Sequence, residues 1–340
     1  MNKDHISLTA SEIGALWTEY MNDSMSRQIL GFMLQHIKDE EIKSVVQKAH
    51  TLSTRREKAL ISIFKNEQYA IPIGFTEQDV NMNAPWLFTD TFCLTYVNHM
   101  ARVGMVAYSG FVSVSYRKDM VNHFSEGLKN VNKLYKESLS ISLQKGINAR
   151  HPHIEVPKET DFVESKKYYS GLNPFNEKRP LNAVEISHLY LNIMTNSLGF
   201  KLCLAFAQTT HSKEIQGFML RGKEVSQKHN KLFTDTLMKD DIESPHVPDI
   251  GISDSTTQTF TDKLMMFHIS LLMSTGTGNY ATAAAASQRS DLAVNYERLS
   301  LEVSRLAKSG ADIMIKNNYL EQPPGTINRE KLAKRNQEKS

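Results

Sequence analysis

A glycine pattern near the end of the chain could bind a nucleotide. Gly276-x-Gly278-x-x-Ala281 follows a strand-like apolar run, residues 267–273, and Glu297 lies about twenty residues further on. In a dinucleotide-binding fold, such glycines form the turn that receives the pyrophosphate, and an acidic side chain at about that distance binds the ribose. A cofactor site here would require the pattern to lie in a loop between a strand and a helix.

Four residues could hold a metal ion in the first half of the chain: Asp23, Glu57, His99 and His123. Carboxylate and imidazole groups are ligands for several divalent metals. A di-iron four-helix bundle, however, takes a Glu from each of two helices and a Glu-x-x-His pair from each of the other two. Neither half of the chain has such a pair in its second or fourth helical stretch. We therefore predict no cofactor and polar side chains with structural partners at these positions; a metal ion is the alternative.

The two halves of the chain are copies of one another. A constant shift of 173 residues relates the first part of each half, from Leu8 and Glu12 to Leu181 and Glu185. After a loop the shift becomes 172, and it carries these residues onto identical ones: Phe88, Thr89, Asp90, Gly104, Tyr108, Ser115, Arg117, Asp119, Val131 and Leu134. A period this long indicates a duplicated domain, because solenoid repeats are about 20 to 50 residues long. The two repeats should therefore share one fold.

Each repeat is predicted to contain four helices. In the first repeat, apolar residues recur at three- and four-residue steps through residues 13–33, 39–66 and 117–145, as in amphipathic helices. Residues 86–114 are apolar almost all round, as in a central helix. These segments have few clusters of β-branched residues bounded by hairpin turns, so a sheet is not expected.

The connections between the helices favour one kind of bundle. Pro72, Gly74 and Pro85 interrupt the chain between the second and third helices, and the resulting loop is long enough to cross the length of a bundle. One long connection at that place is typical of ferritin-like bundles. We predict an all-α fold of two tandem ferritin-like four-helix bundles, with these boundaries: first bundle 1–146, linker 147–180, second bundle 181–324 and flexible charged tail 325–340.

Each repeat begins with a capping box. Thr9-x-x-Glu12 and Asn182-x-x-Glu185 have the required spacing, in which the first side chain accepts a hydrogen bond from the backbone amide of the Glu and the Glu side chain reaches back. The box gives the shared Glu a structural role, and a metal-ligand role is the alternative.

Both repeats keep an arginine and an aspartate where the third helix gives way to the fourth. The pairs are Arg117 with Asp119 and Arg289 with Asp291. We expect the acid to complement the dipole at the helix start and the arginine to bind the turn or a nearby carbonyl group. An anion-binding corner at the helix start is the functional alternative.

The duplication changes the interpretation of the glycine pattern. Residues 274–287 align with residues 102–115, where Gly104 is the counterpart of the first glycine and the second has none. A helix should therefore run through both stretches, and no phosphate-binding loop forms. We predict that Gly276 and Gly278 let neighbouring helices approach closely, at a cost of about 1 kcal/mol per glycine. The first bundle should be packed more widely at this level.

Tyr108 and Tyr280 follow Gly104 and Gly276 by one helical turn. We expect their rings to pack beside a close helix crossing. A redox role for either tyrosine would need a neighbouring metal, which the sequence does not supply.

Composition narrows the classes of partner. The 340 residues include 40 Lys and Arg against 37 Asp and Glu, a net charge of +3, without the basic patch that nucleic-acid binding requires. Acidic residues among the apolar ones in the first thirty residues argue against a secretory signal. Cys93 and Cys203 lie in apolar helical contexts, as small buried hydrophobes of a reducing compartment do. We therefore predict a cytoplasmic protein without nucleic-acid partners.

The two central helices could alternatively be membrane spans, since residues 264–287 carry no formal charge. Asn98, His99 and Arg102 in the first copy would be costly in hydrocarbon, however. We predict buried helices of a soluble protein and no integral membrane segment.

Several blocks resemble a known family. They are Arg179-Pro180-Leu181-Asn182-x-x-Glu185-Ile186, Phe260-Thr261-Asp262-Lys263-Leu264-Met265-Met266-Phe267, Arg289-x-Asp291-Leu292 and Asn317-Asn318-Tyr319-Leu320-Glu321-Gln322-Pro323-Pro324. Together they are similar to the domain-of-unknown-function family 3231 of endospore-forming bacteria, although the family usually has Gly-Trp where this chain has Asn318-Tyr319. The resemblance implies tandem ferritin-like bundles, distantly similar to the spore coat protein F family, and it brings no established reaction.

Two functions are consistent with these observations. The leading hypothesis is a non-enzymatic helical scaffold or interaction protein of sporulating cells, with protein partners or self-association and a spore-associated location. The alternative is a metal- or small-ligand-binding protein with an oxidoreductase-type site in one bundle.

Overall fold

The computed structural model describes residues 6–148, 150–155, 157–173, 178–245 and 251–337. Within these ranges the chain is helical and contains two isolated β-bridges but no strand. Eight long helices form two bundles of similar arrangement: α1 Ala10–His36, α2 Glu40–Asn66, α3 Asp90–Ser113, α4 Lys118–Gln144, α5 Ala183–Thr209, α6 Lys213–Met238, α7 Asp262–Ala286 and α8 Ser290–Lys316. The fold is all-α and duplicated, as the sequence predicts.

The third helix starts later than expected. The apolar run predicted a helix from residue 86, whereas α3 begins at Asp90. Thr89 is the N-cap, and its hydroxyl oxygen accepts a hydrogen bond from the amide of Phe92 at 3.2 Å. The backbone amide of Thr89 donates to the carbonyl oxygen of Gly251 in the other repeat, at 3.1 Å. The residues before Thr89 are therefore extended because they pair with another segment of the chain.

The long loops of the two repeats pair with each other. We call residues 67–89 and 239–261 the crossover loops, since they connect α2 to α3 and α6 to α7. Val80 is bridged to Phe260 and Phe88 to Ile252, both in antiparallel fashion. The 172-residue shift turns Val80 into Ile252 and Phe88 into Phe260, so the two bridges are one contact made twice.

The hydrogen bonds of the crossover loops have the same symmetry. The amide of Asn81 donates to the carbonyl of Thr259 at 2.7 Å, and the equivalent bond joins Ser253 to Leu87 at 2.9 Å. A contact that is exchanged in this way defines an approximate two-fold axis between the repeats. The duplicated chain therefore has the symmetry of a homodimer within one polypeptide.

The apolar core continues from one bundle into the other. Phe32 of α1 packs against Phe260 with ring centroids 5.5 Å apart, and Phe75 packs against Phe267 of α7 at 5.1 Å. Burial of apolar area contributes about 25 cal/mol per Å². These contacts therefore tie the repeats together by the same effect that stabilises each bundle.

The segments outside the bundles have some structure of their own. In the segment predicted as the linker, Lys166–Tyr169 forms a short 3₁₀-helix. The segment predicted as a flexible tail contains a ninth helix, α9, over Arg329–Gln337, and its residues 329–334 are exposed. The side chain of Asn328 accepts from the amide of Lys331 at 3.0 Å, a cap that the charge-rich composition obscured.

Cys93 and Cys203 are both buried and unbridged. Of the helices in the described part of the chain, none combines the length and the apolar character needed to cross a bilayer.

Candidate functional site in the bundle cores

A polar cluster lies inside the first bundle, and each of its four helices contributes one residue. Glu19 of α1 is the centre, and both the Nε and an Nη atom of Arg56 on α2 donate to it. The hydroxyl of Tyr108 on α3 donates to Glu19 Oε1 at 3.0 Å, and Nε2 of His123 on α4 lies 2.9 Å from Glu19 Oε2. Glu19 and Arg56 are only 3% and 5% exposed, so this ion pair is removed from water.

The arginine is also held by packing. The guanidinium carbon of Arg56 lies 4.7 Å from the centre of the Tyr108 ring, at the distance of a cation–π contact. A Cβ atom at Gly127 of α4 would stand 2.5 Å from Tyr108 Cε1 and 2.9 Å from Arg56 Nη2. The ring and the guanidinium therefore fit only because α4 has a glycine there, and Tyr108 packs beside a close helix crossing.

A second carboxyl group, that of Asp23, lies beside this ion pair, with Oδ2 3.9 Å from Arg56 Nε. Burial, and next the proximity of Glu19, raise the pKa of Asp23 well above its usual range, and Arg56 offsets this only in part. Burial lowers the pKa of Arg56, but Glu19, Tyr108 and Asp23 outweigh it, so the net shift is upward. Glu19 and Arg56 therefore form the central ion pair, and Asp23 beside it takes up a proton more readily than an exposed aspartate does.

The four metal-ligand candidates have different partners. His123 belongs to the polar cluster and Asp23 lies beside it, whereas Glu57 is paired with Arg27 at 2.7 Å between Oε2 and Nε. His99 lies elsewhere on α3 and contacts Arg102. In the part of the chain that the structure describes, no group of three or more His, Cys, Asp or Glu is placed to hold a metal ion.

In the second bundle, uncharged side chains occupy the positions of this cluster. Under the 173-residue shift, Glu19, Asp23 and Arg56 become Asn192, Asn196 and His229. Tyr280, the counterpart of Tyr108, accepts from Asn196 Nδ2 at 2.8 Å and lies 2.9 Å from His229 Nδ1.

The buried imidazole of His229 connects this core to the surface. Its Nε2 lies 3.2 Å from the Glu302 carboxylate, which also binds Lys228 and Arg298. Burial lowers the pKa of His229, and Glu302 restores only part of the loss. The two repeats thus keep one tyrosine and exchange an ion pair for a neutral network, a difference that position-by-position comparison of the repeats could have revealed.

The glutamates of the capping boxes also accept hydrogen bonds from the start of the fourth helix of their bundle. Besides accepting from Thr9, the Glu12 carboxylate accepts from the backbone amides of Tyr116 and Arg117 at 2.9 and 2.8 Å. Burial raises its pKa, but the hydrogen bonds from Thr9, Arg117 and Tyr116 outweigh burial and lower the pKa to about 2. The carboxylate from α1 therefore occupies the anion-binding position at the start of α4.

The second repeat makes the same arrangement. Glu185 accepts from the amides of Gln288 and Arg289 at 3.1 and 2.9 Å. It also receives two bonds from Arg179, at 2.9 and 2.7 Å. An anion-binding corner, the functional alternative for these turns, is thus filled by the protein itself in both repeats.

The paired arginines hold the same turns. Arg117 binds Asp119 through two nitrogens at 2.8 and 2.7 Å, and donates to the carbonyl of Ile6 at 3.0 Å. Arg289 binds Asp291 in the same way, with both distances 3.0 Å, and donates to the carbonyl of Arg179 at 3.0 Å. These are the contacts that a structural role requires.

The predicted packing seam at Gly276 and Gly278 is wrong. No heavy atom beyond the local backbone would lie within 4 Å of a Cβ placed at either glycine. Gly276 instead borders a cavity of about 60 Å³ together with Gly199 and Gly222. Gly276 therefore faces open space, whereas a Cβ at Gly222 would lie 2.9 Å from Cys203 Sγ.

Gly104, the counterpart of Gly276 in the first bundle, does have a near neighbour. A Cβ at that position would lie 3.2 Å from a methyl group of Val131. Gly104 and Val131 also border a cavity of about 110 Å³ in the first bundle. It is larger than the cavity at Gly276, so the wider packing expected for the first bundle at this level is not contradicted.

One protein-family model matches almost the whole chain, once in each repeat. The family model described as "Protein of unknown function (DUF3231)" matches residues 1–160 and again residues 169–332. No curated protein matches the chain significantly. Among solved structures, a crystal structure described as a "putative spore coat protein" from Bacillus halodurans is similar over 46% of this chain and 98% of its own, with 18% identity and a TM-score of 0.38.

Proposed function

The chain belongs to the DUF3231 family of proteins of unknown function, and we propose that it acts as a non-enzymatic helical scaffold or interaction protein built from two ferritin-like bundles. The internal symmetry and the shared core support this proposal, because they join the two repeats through one continuous interior. The proposal depends above all on the interior of the first bundle.

The ion pair of Glu19 and Arg56 is the observation that carries the proposal. A catalytic metal needs inward-facing carboxylates that are available as ligands and a position that is open to substrate. Here the Glu19 carboxylate is bound by Arg56, Tyr108 and His123. A guanidinium beside these oxygens repels a divalent cation, so the arrangement favours a structural core.

Exposed apolar residues support a role in protein association. Phe162, Val163, Tyr169 and Leu172 of the linker are 83%, 55%, 54% and 62% exposed. Aromatic and aliphatic side chains are the groups that anchor protein interfaces. Association with sporulating cells is the further part of the proposal, and it rests on the family resemblance.

Metal analysis tests the non-enzymatic part. The full chain, purified without a histidine tag from cells supplied with iron, manganese and zinc, should contain less than stoichiometric metal by mass spectrometry. His123→Ala should leave that content unchanged, as should His153→Ala, whose exposed position makes it a matched control. Stoichiometric metal that is lost only in His123→Ala would establish the alternative, a metal-binding protein with an oxidoreductase-type site.

The spore part has its own test. In a sporulating host, the protein tagged with a fluorescent label should accumulate during sporulation and remain with the spore. Uniform expression through vegetative growth and absence from spores would overturn that part alone.

A further inference from the structure

A cavity of about 320 Å³ lies between the two repeats. Its walls come from α3, the last turns of α4, the segment after α4 and, across the gap, α5 with Pro245. That volume lies at the lower end of the range of small-molecule sites, about 300 to 1,000 Å³. The sequence placed His99 among the metal-ligand candidates but did not predict this cavity, because the cavity combines residues from both repeats.

The cavity is lined by basic groups. Arg102, Arg150, His99 and His151 all border it, and none of its described lining residues is acidic. Arg102 is half-buried. A half-buried positive charge without a carboxylate partner loses part of its hydration, and no acidic group of the cavity replaces it.

The partner of Arg102 is a neutral ring. Its Nη2 atom donates to His99 Nδ1 at 2.9 Å, and an arginine side chain can only donate. His99, which is 4% exposed, must therefore accept at Nδ1 and carry its own proton on Nε2. Burial, followed by the charge of Arg102, lowers the pKa of His99 to about 3. The imidazole orients the guanidinium without compensating its charge.

The other repeat provides an internal control. Under the two-fold relation, His99 and Arg102 become Leu271 and Ser274 on α7, and Thr95 becomes Phe267. Phe267 and Leu271 pack against the core there, and the Phe267 ring contacts Phe75. The fold therefore does not require basic side chains at these positions, since the second repeat has Phe267, Leu271 and Ser274 there.

The remaining wall suits an apolar body. Leu139, Ile147 and Leu198 border the cavity. The ring of Tyr190 lies 5.0 Å from that of His151, and its hydroxyl is already bound to the carbonyl of Glu243. Tyr190 thus offers the cavity a ring face and not a free hydroxyl group.

We propose that this cavity binds a small organic anion, with its carboxylate or phosphate group on the Arg102 guanidinium and its apolar body against α4 and α5. The planar guanidinium can bind either oxyanion through two parallel hydrogen bonds. Arg150, at the exposed edge of the cavity, supplies a second positive charge.

Calorimetric titration of the full chain with benzoate, phenyl phosphate and the neutral benzyl alcohol tests the proposal. At least one of the two anions should bind at one site per chain, and better than benzyl alcohol. Arg102→Gln should weaken that binding roughly tenfold or more, because a charge-assisted hydrogen bond is lost. Arg305→Gln is the matched control, since Arg305 is exposed on α8 and should leave binding unchanged.

Three results of this titration would overturn the proposal. Equal binding of all three probes, or no saturable binding of either anion, would overturn the proposal. So would unchanged anion binding in a folded Arg102→Gln protein. If that variant does not fold, Arg150→Gln replaces it, because this exposed residue can be changed without disturbing the core; unchanged anion binding would then count against the site. Metal content plays no part in this test, so its failure leaves the scaffold proposal standing.

Discussion

Tyr96 and His268 occupy the same position in the two repeats, and their side chains meet. The Tyr96 oxygen lies 3.3 Å from His268 Nε2, and the two rings pack edge to face with centroids 5.5 Å apart. Both residues are essentially buried, at 1% and 0% exposure. The approximate two-fold axis therefore passes between two different side chains that are joined by a hydrogen bond.

His268 should make stability depend on pH. Burial lowers its pKa to about 3, whereas an unfolded histidine titrates near 6.5. As the pH falls from 6.5 toward 3, the unfolded chain binds a proton that the folded chain excludes, so this contribution to the free energy of unfolding is present above 6.5 and falls by about 1.4 kcal/mol per pH unit below it. In urea unfolding at several pH values, His268→Phe should make the slope shallower by this amount, while the contribution of His99 remains. Tyr96→Phe, which keeps the histidine, should retain the full slope; identical slopes in wild type and His268→Phe would contradict the prediction.

The buried ion pair should show strong coupling between Glu19 and Arg56. Glu19→Asn removes the main carboxylate partner of Arg56 and leaves only Asp23 beside it, with Oδ2 3.9 Å from Arg56 Nε. The variant should cost up to about 3 to 5 kcal/mol. The double variant Glu19→Asn with Arg56→His adopts the residues that stand at these positions in the second repeat, Asn192 and His229. It should be more stable than Glu19→Asn alone. Urea unfolding of both single variants and the double variant measures this, and costs that simply add would refute the coupling.

Glu12 should contribute to stability through its low pKa. The carboxylate has a pKa of about 2 in the folded protein, and an unfolded glutamate titrates near 4.3. Its contribution is fully present above the unfolded pKa and is lost as the pH falls from there toward 2. Glu12→Gln should therefore lower the free energy of unfolding at pH 7 by about 2 to 3 kcal/mol. The deficit should shrink at pH 3, and Glu40→Gln, at an exposed site on α2, should show no such deficit.

The glycines should respond in opposite directions to alanine. At Gly276 and Gly278 there is open space, so alanine should raise stability by up to about 1 kcal/mol per site through helix propensity. At Gly127 the new methyl group would collide with Tyr108 and Arg56, and stability should fall. Thermal unfolding of the three variants compares them directly. Destabilisation by Gly276→Ala would restore the idea of a packing seam.

Local signals in the sequence account for most of the helices. The capping boxes at Thr9 and Asn182 and the apolar periodicity determine where helices start and which face is buried, since both act over a few residues. Because the repeats align, the helices predicted in the first bundle also predict those of the second. The starts of α3 and α7 are harder to predict from the sequence, because Thr89 and Thr261 are held by contacts with the opposite crossover loop.

Long-range contacts explain what the sequence did not predict. Nothing near Glu19 in the chain indicates that Arg56, Tyr108 and His123 converge on it, since they come from three other helices. The open space at Gly276 depends on small residues that face it from α5 and α6. Such features follow from how helices are placed against each other, which short-range patterns do not determine.

Fusion of the repeats removes a restriction that assemblies of identical chains must obey. In a homodimer every substitution appears twice, and a residue on the symmetry axis can only meet its own copy. The contact between Tyr96 and His268 has no equivalent in such an assembly, where the choice would be two tyrosines or two histidines. A single polypeptide can therefore change one side of its junction while the other side keeps the molecule together.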